Sequence, residues 1–228
     1  MVTTDALKQT KKNKNLTSIA YDTIKNSIIN NEIKPGDYLS ENSIAQILGM
    51  SRTPIREAIK VLASEGLVEI HNGVGVFVKH VTTKEIHELF EVRAALECTA
   101  LCSSLKYITD DEINSIEKEW LELKSKVDKG EKIDLNIISE YDSRMHSLII
   151  DRCDNEYLKE IMNSIRLKVL RFQRMSARAL GNEKETINQH LEILNYMKKK
   201  DKDKLAKVLK LHIEKAAEYI TKNPNLKY

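Results

Sequence analysis

A chain of 228 residues that is 41% hydrophobic with a net charge of only +3 has material for two modest domains with apolar cores. It is neither a general polycation nor a disordered acidic chain. No apolar run approaches the ~18 residues that span a bilayer and no signal-peptide core is present, so a cytoplasmic protein without membrane contact is expected. Cys98, Cys102 and Cys153 are odd in number and lack metal-pair spacing, which fits buried reduced thiols.

Residues 1–80 hold ten Lys or Arg against eight Asp or Glu, so any basic surface there is local. Lys8, Lys11, Lys12 and Lys14 mark residues 1–15 as a disordered basic arm. Ser40 predicts the cap of a short helix over Glu41–Leu48, with Ile44, Ile47 and Leu48 on one face, and Gly49 a sharp turn behind it. In Ser51-Arg52-Thr53-Pro54-Ile55-Arg56, Thr53 reads as the N-cap and Pro54 as the first helical residue. Both guanidinium groups then gather at the helix tip, while Ile55, Ala58, Ile59 and Leu62 form an inward stripe. After Gly66, Leu67-Val68-Glu69-Ile70, a turn over 71–75 and Val76-Phe77-Val78-Lys79 read as a hairpin. Helix, turn, helix and hairpin in that order predict a winged helix-turn-helix that binds DNA.

These segments resemble the winged-helix transcription regulators of the GntR type. Ile19–Ile29 takes the place of the first helix, Ile33–Glu41 the connector, Ser51–Leu67 the recognition helix and Gly75–Val78 the return strand of the wing. The resemblance implies DNA contacts from Arg52, Thr53 and Arg56, with Asn72 and Gly73 at the wing tip near the minor groove. Asn42 stands where members of the family often carry arginine; asparagine can still hydrogen-bond a phosphate or a base.

From Val81 the glycines thin out and long helical patterns follow, near Lys84–Leu105, Asp110–Lys129, Leu135–Ile150, Asn155–Ala179, Glu183–Lys199 and Asp201–Thr221. The fold class expected is mainly α: a winged helix-turn-helix over 16–80, an all-α helical bundle over 81–222, and a tail over 223–228. Asp142 and His146 are four apart and share a helical face. His190 falls in line with Ile187, Leu194 and Met197, and His212 with Leu205, Val208 and Leu209. Three helices therefore each turn an imidazole inward, as core residues or as ligands.

This second region is similar to the helical effector domain of the FadR-like subgroup, often called FCD. The resemblance implies that Asp142, His146, His190 and His212 hold a divalent metal, with zinc foremost and nickel, manganese or iron also compatible with the donor set. Gln189 replaces the glutamate common before that histidine. Arg93, among apolar neighbours, needs an anion, which is either Glu97 at i+4 or the carboxylate of a small effector. The protein expected is a homodimeric regulator of palindromic operator DNA whose affinity a small carboxylate modulates. The alternatives are a metal-dependent enzyme and a regulator whose metal is structural.

Overall fold

The computed structural model describes residues 4–179 and 183–223, with side chains from 15 to 177 and from 183 to 223. Residues 1–3 of the expected arm and 224–228 of the expected tail lie outside the described residues. The chain divides between Val81 and Thr82 into two units.

In the first unit, helix α1 (Thr4–Ile29) takes in most of the stretch expected as a disordered arm. Residues 4–18 contain neither glycine nor proline and include lysines, which favour a helix. Ala20, Ile24 and Ile28 recur at four-residue intervals and are buried, with α1 packed on α3 (Arg52–Ser64). Tyr21 ties the two helices together by donating its hydroxyl to Glu65 at 3.0 Å. Helix α2 (Glu41–Ile47) is capped by Ser40, whose hydroxyl accepts from the Ser43 amide at 3.2 Å. Its expected apolar stripe is corrected: Ala45 is its buried residue, and Ile47 is 80% exposed. Two residues rotate an α-helix by roughly 200°, so the face that lies on α3 through Ala45 leaves Ile47 in solvent.

Gly49 takes φ +63°, a left-handed turn between α2 and α3. The N-cap of α3 is Ser51, not Thr53, and Pro54 is its third residue. The shift costs nothing, because the first four amides of a helix lack an internal partner in any case. The expected stripe of Ile55, Ala58, Ile59 and Leu62 is buried. Strands β1 (Val68–His71) and β2 (Gly75–Val78) pair antiparallel from Val68 with Val78 to His71 with Gly75, and Tyr38 bridges to Phe77. Gly75 has φ +145°, and a Cβ there would stand 2.3 Å from the Tyr38 ring. Any other residue would push that aromatic off the wing.

The second unit consists of α4 (Thr83–Ser104), α5 (Asp110–Asp128), α6 (Leu135–Asp151), α7 (Glu156–Ala179), α8 (Glu183–Lys198) and α9 (Lys202–Lys222). Capping boxes start α4 and α5: Thr82 with Glu85, and Thr109 with Glu112, each satisfy two otherwise unpaired amides. Asp134 and Asp201 cap α6 and α9. Packing pairs α4 with α9, α5 with α8 and α6 with α7, around a core that includes Trp120, Phe90, Ile149, Leu194 and Ile213. Cys153 is buried, but Cys98 is half-buried and Cys102 exposed. The inward face of α4 runs through Ala94, Glu97, Leu101 and Ser104, and Cys102 lies off it, so the expectation of three buried thiols is corrected there. No helix among the described residues is long and apolar enough to cross a membrane.

Candidate metal centre and nucleic-acid interface

In the first unit the residues expected to meet DNA are all exposed. Arg52, Thr53 and Arg56 occupy the first turn and a half of α3, and Asn72 and Gly73 sit at the hairpin tip, where Gly73 has φ +76°. Neither arginine is idle. Arg56 donates from Nε and Nη2 to the Glu41 carboxylate at 3.2 and 2.9 Å, and these bonds hold Glu41 below the ordinary carboxylate range. Arg52 donates from Nη1 to Asn42 Oδ1 at 3.3 Å. Asn42, read from sequence as a DNA contact, is thus an acceptor for an arginine in the free protein.

In the second unit Asp142 and His146 of α6, His190 of α8 and His212 of α9 converge. One ligand atom from each lies within 4.8 Å of all the others. Asp142 Oδ1 stands 2.8 Å from His190 Nε2, 3.2 Å from His212 Nε2 and 3.5 Å from His146 Nε2. The far nitrogen of each ring faces an oxygen acceptor. His190 Nδ1 donates to the Thr186 carbonyl at 2.8 Å, His212 Nδ1 to Gln189 Oε1 at 3.0 Å, and His146 Nδ1 to Glu97. A neutral imidazole that keeps its proton on Nδ1 would turn its Nε2 lone pair to the centre, the tautomer that a metal ligand requires.

The surroundings hold this arrangement rigidly. Trp120 of α5 stacks on His190 with ring centroids 3.8 Å apart and an interplanar angle of 13°. Gln173 of α7 donates to Asp142 Oδ2 at 2.6 Å, which turns the other oxygen to the histidines. Gln189 keeps the outer hydrogen bond to His212 through its amide oxygen and donates from Nε2 to Glu185 at 3.2 Å, so an amide serves where a carboxylate is common. Burial alone would raise Asp142, yet the charge on His146 and the contacts of the His190 and His212 rings hold it well below the carboxylate range. Burial and the neighbouring His190 push His212 down to about 3. For His146, burial lowers and the Glu97 carboxylate raises, with a net rise.

The donor set fits a divalent cation. Three buried imidazole nitrogens and a carboxylate oxygen suit zinc and its neighbours, which bind such atoms at about 2.0–2.2 Å. His146 Nε2 is fully buried without a hydrogen-bond partner, an orphan that an ion would satisfy.

Arg93 of α4 is 1% exposed. Its Nε donates to Glu97 Oε1 at 2.7 Å, and the other oxygen of Glu97 accepts from His146. Of the two anions considered from sequence, Glu97 is therefore present. It does not exhaust the guanidinium, because Nη2 is buried without a partner. Arg93 and His146 both line a cavity of about 100 Å³, walled by Ile150, Met162 and Val169, whose further polar groups include Glu97, Asp151, Arg166 and Gln173.

Sequence reading brought together the four convergent residues and Arg93. It missed Gln173 and Trp120, which carry no local pattern that ties them to a site on other helices. It also missed the engagement of Arg56 by Glu41, although an acidic residue in the first turn of the preceding helix was in view.

Residues 16–78 match the family model of the bacterial regulatory proteins of the gntR family, and residues 88–215 match the FCD domain. The gluconate operon transcriptional repressor of Bacillus licheniformis is 33% identical over 187 residues, covering 80% of this chain and 75% of the relative. The HTH-type transcriptional regulator YdhC of Bacillus subtilis is 27% identical over 201 residues, 88% of each chain. Among solved structures, Escherichia coli McbR/YncC superposes with a TM-score of 0.75 at 22% identity, covering 92% of this chain and 99% of that one.

Proposed function

Because this chain belongs to the GntR family of bacterial regulatory proteins and carries its FCD domain, we propose that it is a transcription regulator whose hold on operator DNA is set by a small carboxylate bound beside a divalent ion. The coarse part, a DNA-binding regulator and not an enzyme, follows from membership. Regulators of this family act on operator DNA, usually as dimers. Arg52, Thr53 and Arg56 would read the major groove, with Asn72 and Gly73 at the minor groove, and a two-fold dimer would match a palindromic site.

Asp142, His146, His190 and His212 would hold the ion, which when bound supplies a positive centre for an acidic oxygen. The observation that carries the effector reading is the buried, unpartnered Nη2 of Arg93, a residue that lines one cavity together with His146. A buried guanidinium donor left unpaired is costly, and a carboxylate entering there satisfies it. The relative named for a gluconate operon makes gluconate one of the acids to try first. The effector acts only insofar as it binds the two states of the regulator unequally.

Calorimetry of metal-loaded protein with a panel of small carboxylic acids, with and without operator, tests this. An acid that loosens operator binding must itself bind less tightly when operator is present, and Arg93→Ala must lose the acid while keeping metal and operator. Equal acid affinities in both titrations would leave the pocket without a regulatory role.

A further inference from the structure

Both arginines at the tip of α3 are engaged by α2, and the mode of engagement is selective. A guanidinium offers two hydrogen-bonding edges: a side edge, Nε with Nη2, and an end edge, Nη1 with Nη2. Glu41 takes the side edge of Arg56, Nε at 3.2 Å and Nη2 at 2.9 Å. Among the described residues nothing bonds Nη1, so the end edge remains available, and that edge matches O6 and N7 of guanine. The pair lies in solvent, with the Arg56 side chain 52% exposed and that of Glu41 26%, so it adds little to folding. What two bonds to one carboxylate fix is direction.

Asn42, the next residue, engages Arg52 differently, by a single bond from Nη1 at 3.3 Å, an atom of the end edge, so the side-edge arrangement belongs to Arg56. An arginine at position 42 has no acceptor to offer.

We propose that Glu41 is a positioning residue for DNA reading: it fixes Arg56 so that the end edge of the guanidinium, and not a freely rotating charge, meets the base. The proposal rests on the reading of Arg56 as a base contact. Two rival roles for Glu41 are the stabilisation of the α2 N-terminus and plain repulsion of phosphate, and they have different signatures.

The test uses the full chain and an operator that the wild-type protein selects from random-sequence duplexes, with a scrambled duplex of equal length at the same salt. Glu41→Ala is expected to lower the ratio of operator to scrambled affinity by about tenfold to a hundredfold. The scrambled duplex is bound as tightly or more tightly, since a negative charge has gone. Arg56→Ala lowers the ratio likewise, and the double variant is no worse than Arg56→Ala alone, because neighbours acting through one contact are not additive. Glu41→Gln, which keeps one acceptor and the volume of the side chain, falls between.

Tightening of both duplexes by one factor in Glu41→Ala would reduce the residue to repulsion, and additive losses in the double variant would place its effect in α2 itself. A normal ratio in Glu41→Ala beside a lowered one in Arg56→Ala would remove the positioning role alone. A normal ratio in Arg56→Ala would remove the base contact and the proposal with it.

Discussion

The two units treat polar chemistry in opposite ways. Every residue of the buried polar and charged set, from Arg93 and Glu97 through His146, Arg171 and Gln173 to His190 and His212, belongs to the helical unit; among the described residues the winged unit has none. Its core is apolar and its arginines stand in solvent, each held by a neighbour on α2. A surface that reads DNA must be exposed and needs only enough support to aim its side chains. A pocket that holds an ion and an anion must exclude water, and each buried donor and acceptor then needs a partner. The helical unit supplies many of those partners from α4, α6, α7, α8 and α9, and His146 Nε2 and Arg93 Nη2 are among the buried atoms left without one.

The largest expected effect probes that burial. Glu97→Ala removes the partner of a buried guanidinium, and breaking such a pair costs about 3–5 kcal/mol, measurable by urea unfolding. A loss below about 1 kcal/mol would mean that the Arg93 charge is compensated elsewhere. Next comes the apolar core of the winged unit: Ile55→Ala, at a site 0% exposed, should destabilise by about 2–5 kcal/mol. The exposed chemistry of that unit should behave differently. Arg52→Ala and Arg56→Ala should each weaken operator binding by about 1–3 kcal/mol and leave unfolding unchanged; a shift in thermal midpoint comparable to the binding loss would break the contrast. Smallest of all is Ile47→Ala, expected within about 0.5 kcal/mol of wild type, since its side chain meets water. A larger loss in the isolated protein would restore Ile47 to the core.

Legibility in the sequence followed the range of the interactions. The six helices of the second unit stood out because their signals are local: apolar residues recur at helical spacing, and His190 and His212 sit in register with apolar neighbours three, four or seven away. The histidine cluster was legible through its resemblance to a family pattern, since nothing local says that α6, α8 and α9 meet. Gln173 is 31 residues from Asp142, and only the packed fold brings them together. Ile47 misled because a seven-residue helix offers too few positions for periodicity to choose a face. The N-cap of α3 moved from Thr53 to Ser51 because a proline fits any position in the first turn, so it marks a helix start only to within two residues.

The contrast stands or falls on whether the buried cluster binds an ion, and the most direct measurement is the metal content per chain by native mass spectrometry across pH. Neutral imidazoles are needed, and His146 holds its proton above the ordinary histidine range because the Glu97 carboxylate outweighs burial, so metal uptake must expel that proton. The expected result is one divalent ion per chain at and above neutral pH, lost as the pH falls, and absent in His190→Ala. Protein that takes up no ion at any pH, or His190→Ala that binds as wild type does, would contradict the account.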